Sequence, residues 1–444
     1  MSTYKPLQQA FLKITTPFEN FIHNQTTTGI VLLFATILAL ILANSPFADA
    51  YHHFFETKIG FSIGSWKVYH TLHHWINDGL MAIFFFVVGL EIKRELLVGE
   101  LSEVRLAILP ILAAIGGMIA PALIYLSINF GTPAQNGWGI PMATDIAFAI
   151  SVLVLLGKRV PPSLVTFLVA LAIVDDLGAV MVIALFYTGD LNILALLYSM
   201  GFFVSMIFLN LIGVRNYLSY FILAAGMWFF MLDSGIHATI AGVLAALAIP
   251  SKPQSNPLHF TQKVRNLLDD FDKFPIATDM TMHERQKAIL QNIKDRIDSI
   301  SSPAGVLEHT LHLPVSLLII PLFAFANAGI RVDVTTLHEM LTTPVAMGVM
   351  AGLFFGKVIG IFGFSYLAIK LGIAKPPQGS ALKQIFAVSF LGGIGFTMSI
   401  FISDLAFEGN QLYITEAKSA ILIVSMIAGL LGYLMLRTLS NKNS

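Results

Sequence analysis

Twelve apolar stretches, each close to the length that carries a helix across a bilayer, dominate this sequence of 444 residues. They lie near 28–45, 75–92, 104–126, 136–156, 161–187, 192–213, 217–231, 235–249, 304–327, 344–367, 384–407 and 414–437, between charged or Gly/Pro/Asn-rich turns. Lipid offers a backbone no hydrogen-bond partner, so each stretch must close its bonds internally as a helix. The expected fold class is therefore an all-α polytopic membrane protein with 12 transmembrane helices. At 56% hydrophobic and 12% charged residues, the chain has more apolar surface than a soluble core hides. Its basic residues are scattered and net charge is zero, so nucleic acid is not an expected partner. The absence of cysteine excludes disulfides and thiolate metal sites.

The first apolar run, Ile30 to Ala43, is followed by Ala48-Asp49-Ala50, which imitates a signal-peptidase site. The preceding segment is long and polar and holds Glu19, so the run reads as a retained first helix. Asp233-Ser234-Gly235 splits the stretch 217–249. With both termini cytoplasmic, thirteen Lys and Arg outside 251–302 fall on inner segments, against four (Lys58, Lys67, Arg331 and Lys418) on the outer side. That positive-inside bias survives only if 217–249 crosses twice. The expected organisation is a cytoplasmic segment 1–26, helices 1–8 within 27–250, a cytoplasmic helical insertion at 251–302, helices 9–12 within 303–438 and a cytoplasmic tail 439–444.

Two extramembrane segments carry patterns of their own. Ile59, Phe61 and Ile63 alternate before Gly64-Ser65, and Trp66 and Val68 follow, which predicts an outer β-hairpin over about 58–70. A hairpin edge invites a second copy, so a homodimer through 58–70 is expected, with a plain surface turn as the alternative. Within 251–302, Thr281 and Glu284 form a capping-box pattern, and Leu290, Ile293, Ile297 and Ile300 mark one helical face. The insertion is either regulatory or a solvated linker.

Asp78, Asp145, Asp175, Asp176 and Lys357 lie inside apolar stretches, where each ionised group costs about 2.5–3.5 kcal/mol on insertion scales. Interhelical salt bridging would account for any one of them, whereas five together indicate an ion path. Asp175 and Asp176 are helix neighbours pointing about 100° apart. Two such carboxylates cannot both ionise cheaply in low dielectric, so the pair can hold protons or a cation. Sodium takes oxygen ligands, and proton and cation would compete for the same oxygens.

Two stretches contain helix breakers at mid-span: Gly139-Ile140-Pro141-Met142-Ala143-Thr144-Asp145 and Gly392-Gly393-Ile394-Gly395-Phe396-Thr397. Unwound backbone at that depth is tolerated only where protein buries it or a wet cavity meets it, and half-helix ends expose partial charge there. Asp145 is expected to balance positive N-terminal ends and Lys357 negative C-terminal ends. The broken stretches fall second in helices 3–5 and 10–12, the spacing an inverted repeat requires. Tight glycine packing between helices is the alternative account.

Ala143-Thr144-Asp145-Ile146-Ala147-Phe148, Ala172-Ile173-Val174-Asp175-Asp176-Leu177-Gly178, Phe323-Ala324-Phe325-Ala326-Asn327-Ala328-Gly329 and Gly393-Ile394-Gly395-Phe396-Thr397-Met398-Ser399 occur in this order. Through them nearly the whole chain resembles the NhaA family of sodium/proton antiporters. The resemblance implies inverted repeats with two crossed discontinuous helices, an architecture for which that family is a standard example. It implies electrogenic exchange of external protons for internal sodium or lithium, two protons per sodium, in the bacterial inner membrane and without a cofactor. By motif, Asp175 and Asp176 become the cation and proton site, Thr144 a ligand or support, Asp145 the charge at the crossing, and Gly392, Gly393, Gly395 and Thr397 the helix break. Lys357 matches the family's membrane lysine, which pairs with Asp175 or carries a proton.

The resemblance also implies activation at alkaline pH through Glu91, Arg94, Glu95, Glu308, His309 and His312, with His237 at a further pH-linked position. Ordinary interfacial charge and capping are the alternative for the first six, and a hydrogen-bonded packing histidine for His237. Two features depart from the family: the insertion 251–302 is longer than in compact members, and Asp404 adds an acid near the outer end of helix 11, where simple solvation is expected. Two rival readings use the same residues. An intramembrane aspartyl protease would take Asp145 and Asp176 as its dyad, and a sodium/solute symporter would use a similar fold. A metal-enzyme reading of Glu308, His309 and His312 lacks a spacing such as H-E-x-x-H.

Overall fold

The fold is described from a computed structural model covering residues 25–63, 66–253, 260–274, 284–331 and 340–440. Among these residues, eight helices are long and apolar enough to cross a bilayer, and two bent helix pairs and two shorter apolar helices accompany them. The elements are α1 (Gln25–Ala43), α2 (Ala48–Glu56), β1 (Lys58–Ile63), β2 (Trp66–Thr71), α3 (Leu72–Leu97), α4 (Val104–Asn129) and, after a 3-10 stretch Pro133–Met142, α5 (Ile146–Val154). There follow α6 (Pro162–Phe186), α7 (Ile193–Leu211), α8 (Tyr217–Leu232), α9 (Thr239–Ala248), α10 (Phe260–Asp272) and α11 (Glu284–Ile300). The last are α12 (Pro303–Asn327), α13 (Pro344–Lys370), α14 (Leu382–Leu391), α15 (Phe396–Ala406) and α16 (Gln411–Ser440).

Helix starts follow local chemistry. Ser302 and Thr343 cap α12 and α13, their hydroxyls accepting from Gly305 N and Ala346 N, and Pro303 and Pro344 occupy the first helical position, where a missing N–H costs nothing. Asn192 and Asn216 cap α7 and α8 in the same way. Between α8 and α9 the chain reverses at Gly235, where φ is +82° and a Cβ would stand 2.1 Å from the Asp190 carbonyl oxygen, leaving no room for a side chain. The breaker Asp233-Ser234-Gly235 thus separates two helices, α8 and α9, as expected.

The hairpin is present: β1 and β2 pair antiparallel from Lys58 against Thr71 to Ile63 against Trp66. The Trp75 indole anchors it by donating to Ile59 O at 2.8 Å. Its turn, Gly64-Ser65, lies outside the described residues, as do 1–24 and the Thr281 half of the capping box. Two features were not anticipated. The chain bends by 113° after α1 and continues as α2, held where Asn44 Nδ2 donates to Leu40 O and Ile330 O. In α11 the predicted apolar face is poorly covered, with Leu290 and Ile297 40% and 47% exposed, while Gln286 is buried against Phe274 O. Helices α10 and α11 pack on each other.

The core seam lies between α4 and α13. Gly352, Gly356 and Gly360 recur every fourth residue on α13, and the chain of α4 runs so close that a Cβ on Gly360 would stand 2.1 Å from Gly116 O. A Cβ on Gly356 would stand 2.6 Å from Pro121 Cα. Small residues at this repeat let backbones touch, the main source of helix association once lipid removes the hydrophobic drive. Gly352–Gly356 is also a π-helical turn, which delivers Lys357 into the interior directly after it. A Gly360→Val substitution should lower stability by roughly 1–3 kcal/mol through overpacking, read as an earlier melting transition in detergent, whereas Gly363→Val, with open space around it, should not.

Candidate ion-binding site

Asp175 and Asp176 lie at the middle of α6 and are both 1% exposed. Lys357 is fully buried and its ammonium donates to Asp175 Oδ2 at 2.7 Å. An amine carried to that depth is tolerable only with such a partner, because an unpaired buried ion loses its hydration without compensation. The other Asp175 oxygen, Oδ1, and Asp176 Oδ1 are buried without a hydrogen-bond partner among the described residues. Thr144 faces the Asp175 carboxylate while its hydroxyl donates to Gly392 O at 2.8 Å. The site therefore joins α6, α13 and both helix breaks.

Each break supplies what the other lacks. The 3-10 stretch ends at Met142 and α5 begins at Ile146, leaving Ala143, Thr144 and Asp145 extended. In the second, α14 ends at Leu391 and α15 begins at Phe396 with a 49° bend. Across the gap Asp145 N donates to Ile394 O at 2.6 Å. The Asp145 carboxylate accepts from Phe148 N at 2.9 Å, from Thr397 N at 3.1 Å and from the Thr397 hydroxyl at 2.6 Å. It touches the N-terminal ends of α5 and α15 together, and each end carries about half a positive charge. At the carbonyl ends Thr144 and the Asp145 N–H meet Gly392 O and Ile394 O, and the Lys357 ammonium stands against Asp175.

The remaining candidates separate into two groups. Arg94 bonds Glu95 and Glu308, each at 2.9 Å, and Glu91 lies within electrostatic range of these three and of Asp176. His309 and His312 lie on α12 near them and are exposed. His237 is elsewhere, its ring Nδ1 3.4 Å from Asp78, whose other oxygen meets His74 at 3.2 Å. These two groups occupy opposite ends of α3.

Asp404 requires a correction. Instead of simple solvation it makes a 2.8 Å ion pair with Lys418, at 12% and 9% side-chain exposure, because α15 and α16 bring the two side by side. Asn77 also donates to Asp404 at 3.4 Å. Sequence reading missed Asn77, His73, Asn327 and the inward position of Lys418. An amide at Asn77 and Asn327 inside apolar stretches was the available signal, as was the Gly352/Gly356/Gly360 repeat.

Residues 19–436 match the family described as Na+/H+ antiporter 1. The chain belongs to that family. The Na(+)/H(+) antiporter NhaA of Sulfurimonas denitrificans is 60% identical over 437 residues, 98% of each chain. An NhaA 1 of Saccharophagus degradans is 48% identical over 98% of this chain and 94% of its own, and the NhaA of Dichelobacter nodosus 46% over 97% and 93%. As a member of an antiporter family the chain is a multi-pass membrane transporter and not an enzyme, which retires the protease and metal-enzyme readings. In this family member, Thr397→Val should remove a hydrogen bond to a charged group, destabilising by about 1.5–3 kcal/mol, while Thr397→Ser should melt like the parent.

Proposed function

We propose that the chain exchanges sodium or lithium for protons, with Asp175 and Asp176 as the shared binding site and Thr144 as a supporting ligand. Charge counting at the site carries this reading. Asp145 is matched by two half-helix ends and Asp175 by Lys357, which leaves the Asp176 carboxylate without a fixed positive partner among the described residues. Burial makes an unmatched carboxylate untenable, so it must hold a proton or a monovalent cation. The free oxygens Asp175 Oδ1 and Asp176 Oδ1 are the hard donors an alkali ion takes. Proton and sodium therefore exclude one another at one pair of side chains.

Arrival of sodium between both carboxylates weakens the hold of Asp175 on Lys357, so a second proton can leave from the lysine. Two protons against one sodium make the exchange electrogenic, driven inward for protons by the membrane potential. The names of the relatives, Na(+)/H(+) antiporter, support the substrate pair.

The proposed setting is a bacterial inner membrane with both termini cytoplasmic, the hairpin outside and the insertion 251–302 inside. The eight long helices, α1 and the α14–α15 pair, and the short α8 and α9 support twelve crossings. The meeting of the two breaks at Asp145 supports a crossed pair of discontinuous helices related by an inverted repeat. The hairpin supports a homodimer through 58–70. The cluster Glu91, Arg94, Glu95 and Glu308, with His309 and His312 nearby, is the proposed pH-responsive element on the inner side, and His237 with Asp78 its outer counterpart.

Asp176→Asn should abolish sodium-dependent proton flux in everted vesicles while the protein inserts and melts like the parent. Flux retained in that variant would remove Asp176 from the site. Collapsing the membrane potential should slow exchange in the parent, and an unchanged rate would point to electroneutral counting.

A further inference from the structure

A second polar cluster lies on the hairpin side of the molecule, apart from the mid-helix acids. A cavity of about 650 Å³ opens there between α2, the end of β2, the end of α12 and the start of α16. His73, Asn327 and Lys418 line it. Beneath them Lys418 pairs with Asp404 at 2.8 Å, and Asn77 links Asp404 at 3.4 Å to Asn327 at 2.8 Å. Four helices, α3, α12, α15 and α16, thus spend an apolar position on an ion pair or an amide at one place.

Within this cluster one acceptor is shared among three neighbours. Asn327 Oδ1 stands 2.9 Å from His73 Nε2, 3.4 Å from Lys418 Nζ and 3.5 Å from Asn77 Nδ2, so three neighbours crowd one acceptor and two sit at the long limit. Asp404 and the Asn77 and Asn327 side-chain oxygens are three oxygen donors from three helices, the set that a passing alkali cation needs. Lys418 covers them now, and its flexible stem reaches into the cavity wall.

The cluster is joined to the mid-membrane acids by a single short helix. Thr397 at the start of α15 bonds Asp145, and Asp404 follows seven residues later, about 10 Å along the axis. Between them Ser399 and Ser403 are buried polar side chains. We propose that His73, Asn77, Asn327, Asp404 and Lys418 form the outer port of the transport path. In this account Lys418 swings away from Asp404 to let alkali cations or hydronium pass between the cavity and the acids at mid-membrane. This rests on the exchange function proposed above.

The chain has no cysteine, so a single introduced thiol can be labelled without background. Thr415 lines the cavity and its hydroxyl donates to Gln411 O within its own helix. In Thr415→Cys, a membrane-impermeant cationic methanethiosulfonate reagent applied to the outer face should label the thiol and slow sodium-dependent proton flux about tenfold relative to the same variant unlabelled. Full labelling without loss of flux, or a thiol unreactive from outside, overturns the port. Lys418→Met should shift the half-saturating sodium concentration on the outer face about tenfold while leaving the inner face unchanged. An equal shift on both faces would mean a merely structural role, and no shift would mean none in transport. Unmodified protein is measured first: absent exchange there defeats the function itself, whereas exchange that survives labelling defeats only the port.

Discussion

An ion held at mid-membrane depth must bring its countercharge with it, and the arrangement around Asp145, Asp175 and Lys357 follows from that constraint. The Lys357–Asp175 pair is dry on both sides, so removing either partner would strand a charge at a cost of about 3–5 kcal/mol. Asp145 is served by backbone dipoles and the Thr397 hydroxyl. Asp176, adjacent to Asp175 on α6, is the group whose compensation must come from a mobile ion in the proposed mechanism. A site with every charge permanently matched would bind nothing; one unmatched acid makes occupancy by proton or sodium obligatory.

Much of the remaining structure can be understood as making that site possible. A broken helix in lipid exposes N–H and C=O groups that nothing outside can satisfy. Two breaks facing each other solve the problem jointly, with Asp145 N on Ile394 O and Thr144 on Gly392 O. Lys357 needs backbone-close packing to reach α6, and the glycine seam between α13 and α4 provides it. Such packing leaves no spare volume, so the site's geometry and the protein's stability are tied to the same residues. The cluster around Asn327 has a different character, because three neighbours share its one side-chain oxygen and that sharing leaves it able to rearrange.

Several elements were legible in the sequence because their physics is local. Adjacent aspartates in an apolar run, Gly/Pro interruptions at mid-span, alternation before Gly64-Ser65 and a breaker at 233–235 each declare themselves within a few residues. Pairings between distant helices were not legible from spacing, and Lys357 with Asp175 was offered only by the family resemblance. Asp404 and Lys418 are on either side of a turn, and nothing in their spacing says that the two will face each other in place of water. Arg94 reaching Glu308, and His237 reaching Asp78, depend on helix order in space. The 113° turn after α1 was hidden because Ala48–Glu56 is only weakly apolar and its place is fixed by Asn44 and by Tyr51, which bonds Phe325 O. The apolar positions of α11 showed periodicity without stating what would cover them, and much of that face stays exposed.

The most direct test of the shared-site account is calorimetric titration of sodium into purified protein, repeated across pH and in buffers of different protonation enthalpy. Mutual exclusion at Asp175 and Asp176 predicts that sodium affinity falls as the solution is made more acidic and that binding expels protons into the buffer. Sodium binding of constant affinity across that range, with no proton release, would contradict it.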